Sequence, residues 1–425
     1  MNPLSIAAWA AALFLGATLF SHTVALRLLM LLLGLALVVW QLVRARIAAR
    51  DAGVQALPPL LVPILLWSAW AGLSVLWSQE PGRSQKEFQN EVVYVFIGYW
   101  LCFVAAQAQG ARRVFGIVLG GAGVLACLLG IYVYFAPDAP PWLARMSSGP
   151  GDQSSAMLTL MPCALMAIWL ARDATTPRML QRALWVLPPL ILVAAYVTLN
   201  RIVWVGFALE LGVIAALILA RPEFDAIRRA KRTRLVSVAI VAAVVGGVAL
   251  VMIQIEEKRV ELNPITDVGV DPRLAIWASA VSTIKQNPLT GLGFGRGIDR
   301  KTVRKELGKP EIWHSQYWHA HNLVLETGVG SGVPGALLLL LLIGATAYKG
   351  WRLARDTNAE AAAYGIALVA IVAGMFVRNM VDAQLARQNA LLYWGLVGAL
   401  LAFGTVRSAS KLNSTLRGDL RQPTR

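Results

Sequence analysis

The sequence predicts an all-α polytopic membrane protein of about twelve transmembrane helices, with a partly helical outer loop and a re-entrant half-helix. Three observations carry this. The 425 residues are 57% hydrophobic and only 15% charged, against roughly 25% charged in soluble domains, and the mean hydropathy is +0.60. Apolar runs near the ~20 residues that a bilayer core requires recur along almost the whole chain. One long polar stretch, 254–318, interrupts them, and glycines and a proline break the apolar run that follows it.

The predicted spans are 4–20, 24–43, 58–77, 91–107, 114–135, 155–171, 184–200, 202–220, 235–253, 333–348, 361–377 and 389–406. The first has no Lys or Arg before it, whereas a secretory signal needs a basic leader, so it is read as a retained helix. Cys102, Cys127 and Cys163 all fall within spans, where a thiol behaves as a small hydrophobe. Their odd number and the lack of a CxxC give no disulfide framework.

The formal charge of +16 does not indicate nucleic acid, because the basic residues are scattered over short interhelical loops. Membrane lipid head groups and orientation by loop charge account for them. With the N-terminus inside, the inner short loops hold seventeen Lys and Arg, including the cluster from Arg221 to Arg234. The outer short loops hold six: Arg83, Lys86, Arg145, Arg201, Arg378 and Arg387. Both termini then read as cytoplasmic. The organisation expected is nine helices over 1–253, the outer loop and re-entrant segment over 254–332, three helices over 333–406, and a cytoplasmic tail over 407–425.

A structureless loop as long as 254–318 would be unusual. Asp271, Pro272 and Arg273 read as an N-cap with proline at the first helical position. Leu274, Trp277, Val281 and Ile284 follow at helical spacing, and Asn287–Pro288 ends the run. This predicts an amphipathic helix on the outer face. Gly291, Gly293 and Gly295 read as a flexible turn; no strand precedes them, so they are not a dinucleotide fingerprint. A second short helix is expected over 301–307.

Groups able to do chemistry are few. Of the four histidines, His321 precedes Asn322 and a run with Gly328, Gly330, Gly332 and Pro334. Residues 321–332, if helical, extend only about 18 Å, too short to cross, so they read as a re-entrant half-helix. Irregular backbone at that depth must be covered by protein or line a cavity. His321 would stand at its N-terminus, where free N–H groups favour an anion such as a diphosphate. A structural histidine is the competing reading, and a zinc site from His314, His319 and His321 is another. Their spacing fits no established ligand pattern, and Trp313 and Trp318 beside them fit an interfacial belt. Arg201 lies in a two-residue connection between apolar spans. It is either a snorkelling anchor or a cation held at a site, where guanidinium gives bidentate phosphate recognition. Arg378 and Asp382 in the last outer loop are a structural ion pair or a device that orients the histidine or an acceptor sugar; the structural reading is the simpler.

Together these residues resemble the O-antigen ligase family and its relatives, the O-antigen polymerases and protein O-oligosaccharyltransferases, from about 199 to 335. The family pattern is matched by Arg201 opening a helix, by Arg273 before Trp277, by Pro288, Leu289, Gly291, Gly293 and Gly295, and by His321–Asn322. Asn200 stands where relatives often have serine. The resemblance implies a glycosyltransferase of the bacterial inner membrane, multi-pass, with its site and its partly helical loop in the periplasm. It implies transfer of an O-antigen from an undecaprenyl diphosphate-linked glycan donor to a lipid A-core acceptor. Arg201 and Arg273 would hold the donor diphosphate and His321 would act at the acceptor hydroxyl, with Asn322, Arg378 and Asp382 in support. No cofactor and no metal are expected, since no Asp-x-Asp occurs in the outer loop. The short tail leaves no room for the extra C-terminal domain of many protein glycosylases, so ligase and polymerase are the nearer expectations. A transporter of lipid-linked glycan is the reading of a different class. It would place ionisable groups and paired broken helices near the midplane, whereas the polar candidates here gather at one face.

Overall fold

The computed structural model describes residues 2–48, 54–136, 138–147, 149–171, 178–221, 272–295, 297 and 319–419. These form helices α1 (Pro3–Ala17), α2 (Val24–Ile47), α3 (Leu61–Ser74), α4 (Pro81–Ala105), α5 (Ala111–Phe135), α6 (Pro141–Met146), α7 (Pro150–Leu170), α8 (Arg178–Leu184), α9 (Leu187–Val197), α10 (Arg201–Leu219), α11 (Pro272–Gln286), α12 (Leu323–Ala354), α13 (Ala359–Asn379) and α14 (Arg387–Asp419), with no strand among the described residues. One π turn, Gln89–Val93, lies within α4. Eight helices are long and apolar enough to cross a membrane, namely α2, α4, α5, α7, α10, α12, α13 and the apolar part of α14, and α1, α3 and α9 are shorter apolar helices. Together they account for eleven of the twelve predicted spans. The remaining one, 235–253, lies outside the described residues, as do 301–307, His314, Trp313 and Trp318.

The centre is built from small residues. In α1, Ala7, Ala8, Ala11 and Ala12 are fully buried, and the helix packs on α2, α4 and α5. In lipid, helices associate through close van der Waals contact, which small side chains permit. Helix α13 lies against α7, α10, α12 and α14. By contrast α2 leaves Leu29, Leu32 and Trp40 exposed, the face of a helix whose solvent is hydrocarbon.

The connections sort into two ends. At one end Gln55 and Gln107 exchange hydrogen bonds of 2.7 and 2.9 Å, Arg112 meets Glu360 at 3.2 Å, and Arg221 donates to the carbonyls of Ala354 and Asp356. At the other, Ser21 N donates to Met146 O at 3.1 Å and Trp77 Nε1 to Thr290 O at 2.8 Å. Each contact joins loops that the charge pattern assigns to the same side.

Helix α12 is broken where the sequence places the end of the half-helix. Asn322 caps it, its Oδ1 accepting from Val324 N and Leu325 N at 3.0 Å. Gly332 then takes φ +71°, ψ −179°, a left-handed conformation open to glycine at little cost. The carbonyls this break releases need partners. Leu292 N donates to Val329 O at 2.8 Å and Gly293 N to Gly330 O at 2.9 Å. Trp70 Nε1 donates to Ser331 O at 2.8 Å, and Val333 N closes the joint on Pro288 O at 2.7 Å. The glycine turn expected to be flexible is therefore a backbone plug seated in the broken helix. Gly293, with φ +105°, has the Ser78 side chain against its Cα and no room for a Cβ.

Helix α11 forms where predicted, from Pro272. Its buried face differs: Ile276, Ser279 and Ala280 are fully buried, with Trp277 and Ile284 beside them, while Val281 is 40% exposed. The helix packs on α12 through Val329 and Leu325, so its apolar side is set by a neighbouring helix one residue around from the sequence reading.

Candidate functional site

Several helix starts converge at the end that carries the plug. Asn200, just before α10, donates through Nδ2 to Ser154 Oγ of α7 at 3.2 Å. Arg378, near the end of α13, donates through Nη2 to the same Oγ at 3.3 Å. From α14, Gln388 and Asn389 donate to Asp152 of α7, both at 2.9 Å. Helix N-termini carry unpaired N–H groups and the positive end of the dipole. The starts of α7, α10, α12 and α14 meet at this end, with Asn322 already on the first N–H groups of α12 and Asp152 in the first turn of α7.

At its centre is a three-residue relay. His321 Nδ1 meets Asp382 Oδ1 at 3.0 Å, and Arg378 Nη1 donates to Asp382 Oδ2 at 3.1 Å. Gln384 Nε2 adds a bond of 3.3 Å to Oδ2. Arg378 is fully buried. Burial works against the Asp382 carboxylate, but the bond from His321 and the Arg378 charge outweigh it and hold the carboxyl down at about 2. An ionised Asp382 accepting at Nδ1 fixes the tautomer of His321 with Nε2 as its basic nitrogen. Sequence reasoning leaned to a structural Arg378–Asp382 pair. The pair is present, and its carboxylate also orients His321.

His321 has φ +47°, unusual for a residue with a side chain. Asn322 follows in extended backbone, capping α12 and donating through Nδ2 to Met380 O at 2.9 Å. The loop after α13 is pinned as well: Asn379 Oδ1 accepts from Gln384 N and Leu385 N at 2.8 and 2.7 Å. His319 turns away to Glu326, Nδ1 to Oε1 at 2.8 Å, and that bond raises its pKa against the opposing effect of burial.

The arginines sit at the same end of the helices as the relay. Arg201 is the first residue of α10 and is exposed, one residue from Asn200 on Ser154. Arg273, in the first turn of α11, lies close enough for its charge to act on Arg378. Sequence analysis missed Ser154, Glu326 and Gln384. The first stands in the polar run Asp152–Gln153–Ser154–Ser155 at the mouth of an apolar span, which is a signal in itself. Among the described residues no three His, Cys, Asp or Glu side chains gather as metal ligands; His314 lies outside them.

Comparison with known proteins adds two likenesses. A family model described as O-antigen ligase matches residues 189–340. A protein of Rickettsia felis named as a candidate polysaccharide ligase is 24% identical over 329 residues, covering 74% of each chain. The matched segment carries Arg201, Arg273, the glycine plug and the His321 half-helix, so over residues 189–340 the chain is similar to the O-antigen ligase family.

Proposed function

We propose that this multi-pass membrane protein of the polysaccharide-ligase type transfers O-antigen from undecaprenyl diphosphate to a lipid A-core hydroxyl, at the periplasmic face of the bacterial inner membrane. The observation that carries this reading is the Arg378–Asp382–His321 relay, set among converging helix starts with Arg273 near it and Arg201 at the same end of the helices. In this reading His321 Nε2 takes or aligns the proton of the acceptor hydroxyl, a weak nucleophile that gains from a base within hydrogen-bond reach. The hydroxyl oxygen forms the new bond at the anomeric carbon as the bond to the diphosphate breaks. Negative charge develops on the departing diphosphate, and Arg201, Arg273 and the helix N-termini stabilise it as a preorganised field. The donor is already activated, so no sugar nucleotide enters.

The test is purified protein with lipid-linked O-antigen and lipid A-core, without nucleotide or added metal. Glycan joined to lipid A-core supports the reading. Elongation of the lipid-linked glycan in place of transfer to lipid A-core would make it a polymerase, and no transfer to either acceptor would refute a glycan-transfer activity.

A further inference from the structure

His321 occupies a strained backbone position, φ +47°, which a non-glycine residue keeps only where its surroundings impose it. The residue that imposes it is found one step earlier. Ala320 is 1% exposed, and both its backbone groups are held by side chains from different helices. Its N–H donates to Glu326 Oε2 at 2.7 Å, and its C=O accepts from Trp277 Nε1 at 2.9 Å. Glu326 holds His319 Nδ1 with its other oxygen, and its own N–H returns to Asn322 O at 2.8 Å. On the far side Asn322 is anchored to Met380 and to the start of α12. His321 therefore hangs between two clamped residues, with its ring on Asp382.

Resting on the functional reading above, we propose that Glu326 and Trp277 are positioning residues for His321, acting through the Ala320 peptide. Ordinary capping of α12 does not explain Glu326, because Asn322 already serves the first free N–H groups and Glu326 reaches two residues further back. Trp277 ties the clamp to α11, four residues and about one turn after Arg273. The helix carrying one proposed donor arginine thus also sets the histidine, so donor site and acceptor base are held in one frame. Misplacing a reacting group by about 1 Å costs on the order of 100-fold in rate, and this linkage guards against such a shift.

The experiment uses full-length protein in nanodiscs, with undecaprenyl diphosphate as the binding probe and lipid-linked O-antigen plus lipid A-core for turnover. Glu326→Ala is expected to lower turnover about 100-fold, and Trp277→Phe, which keeps the ring and loses only the N–H, about 10-fold, as for one neutral hydrogen bond. Both should bind undecaprenyl diphosphate as wild type does. Glu326→Gln retains an oxygen for the Ala320 N–H and should recover most of the activity. In a His321→Ala background, Glu326→Ala should add no further loss, since residues acting as a unit are not additive. Wild-type turnover in both Glu326→Ala and Trp277→Phe, weakened probe binding in step with turnover, or an additive loss on His321→Ala overturns the proposal while leaving His321 its role. Full activity in His321→Ala would instead overturn the functional reading itself.

Discussion

At the scale of single residues, the bond between Asp382 and His321 decides what the histidine does. In the proposed role His321 Nε2 serves as the base at the acceptor, and loss of a general base typically costs about 100- to 10,000-fold. His321→Ala should lose transfer to that extent while still binding the lipid-linked donor. His319→Ala should be much milder, because its ring pairs with Glu326 and not with the relay. EDTA should leave transfer unchanged; abolition by chelator with rescue by zinc would replace the base with a metal site. Asp382 titrates near 2, below the ordinary carboxylate value of about 3.9. Its folded pKa is depressed, so the stability it contributes is complete above the ordinary value and is lost as pH falls toward about 2. Any acid limb of the rate between pH 5 and 8 must then come from another group, and Asp382→Asn, which removes the negative charge at His321 Nδ1, should reduce turnover across that whole window and move the limb to lower pH. Unchanged turnover and an unmoved limb in Asp382→Asn would show that the bond to His321 has no part in transfer. At the two arginines, lysine keeps the charge and loses the planar fork. Arg201→Lys with Arg273→Lys should weaken donor binding, measured with undecaprenyl diphosphate, and full activity of the pair would refute the binding role.

At the scale of elements, the glycine turn and the broken helix are one device. Gly291, at φ +63°, has Val329 O only 2.6 Å from where a Cβ would stand. Gly332 joins α12 to the plug in a conformation that other residues reach only under strain. Gly332→Ala should lower the thermal unfolding temperature and reduce transfer together, since displacing the plug also moves the α12 start that bears His321. Reduced transfer with an unchanged unfolding temperature would mean that the break has a part in catalysis separate from its packing.

At the scale of the whole molecule, the polar network gathers at one end of the helices. Glu210 lies apart from it. It is fully buried in α10, against Gly374 of α13, with no partner for either oxygen among the described residues. It lies nine residues after Arg201, about 13 Å along the helix. An enzyme working at the outer end does not need this carboxyl charged, so Glu210→Gln should keep transfer near wild type. A transporter with a path across the membrane would lose function there. Reporter fusions after Lys258 and after Arg407 should read outside and inside respectively; an inside signal at the first would set His321 facing the wrong substrate pool.

The sequence by itself determined the helical spans, their two-sided ordering and most of the residues that meet at the site. Hydrophobic run length, loop charge and a local motif are properties of contiguous stretches, so they survive without coordinates. His321–Asn322, Arg201 and Arg273 were legible for that reason, as were the break near Gly332 and the start of α11 at Pro272. Only the tertiary structure decided how they combine. The Asp382 bond to His321 joins residues sixty-one apart, Ser154 meets Arg378 across 224 positions, and the clamp on Ala320 draws on two helices. The buried face of α11 and the rigid seat of the glycine turn were also beyond local reading. Each depends on which backbone carbonyls and apolar surfaces a neighbouring helix leaves unsatisfied, and that is known only once the helices have packed.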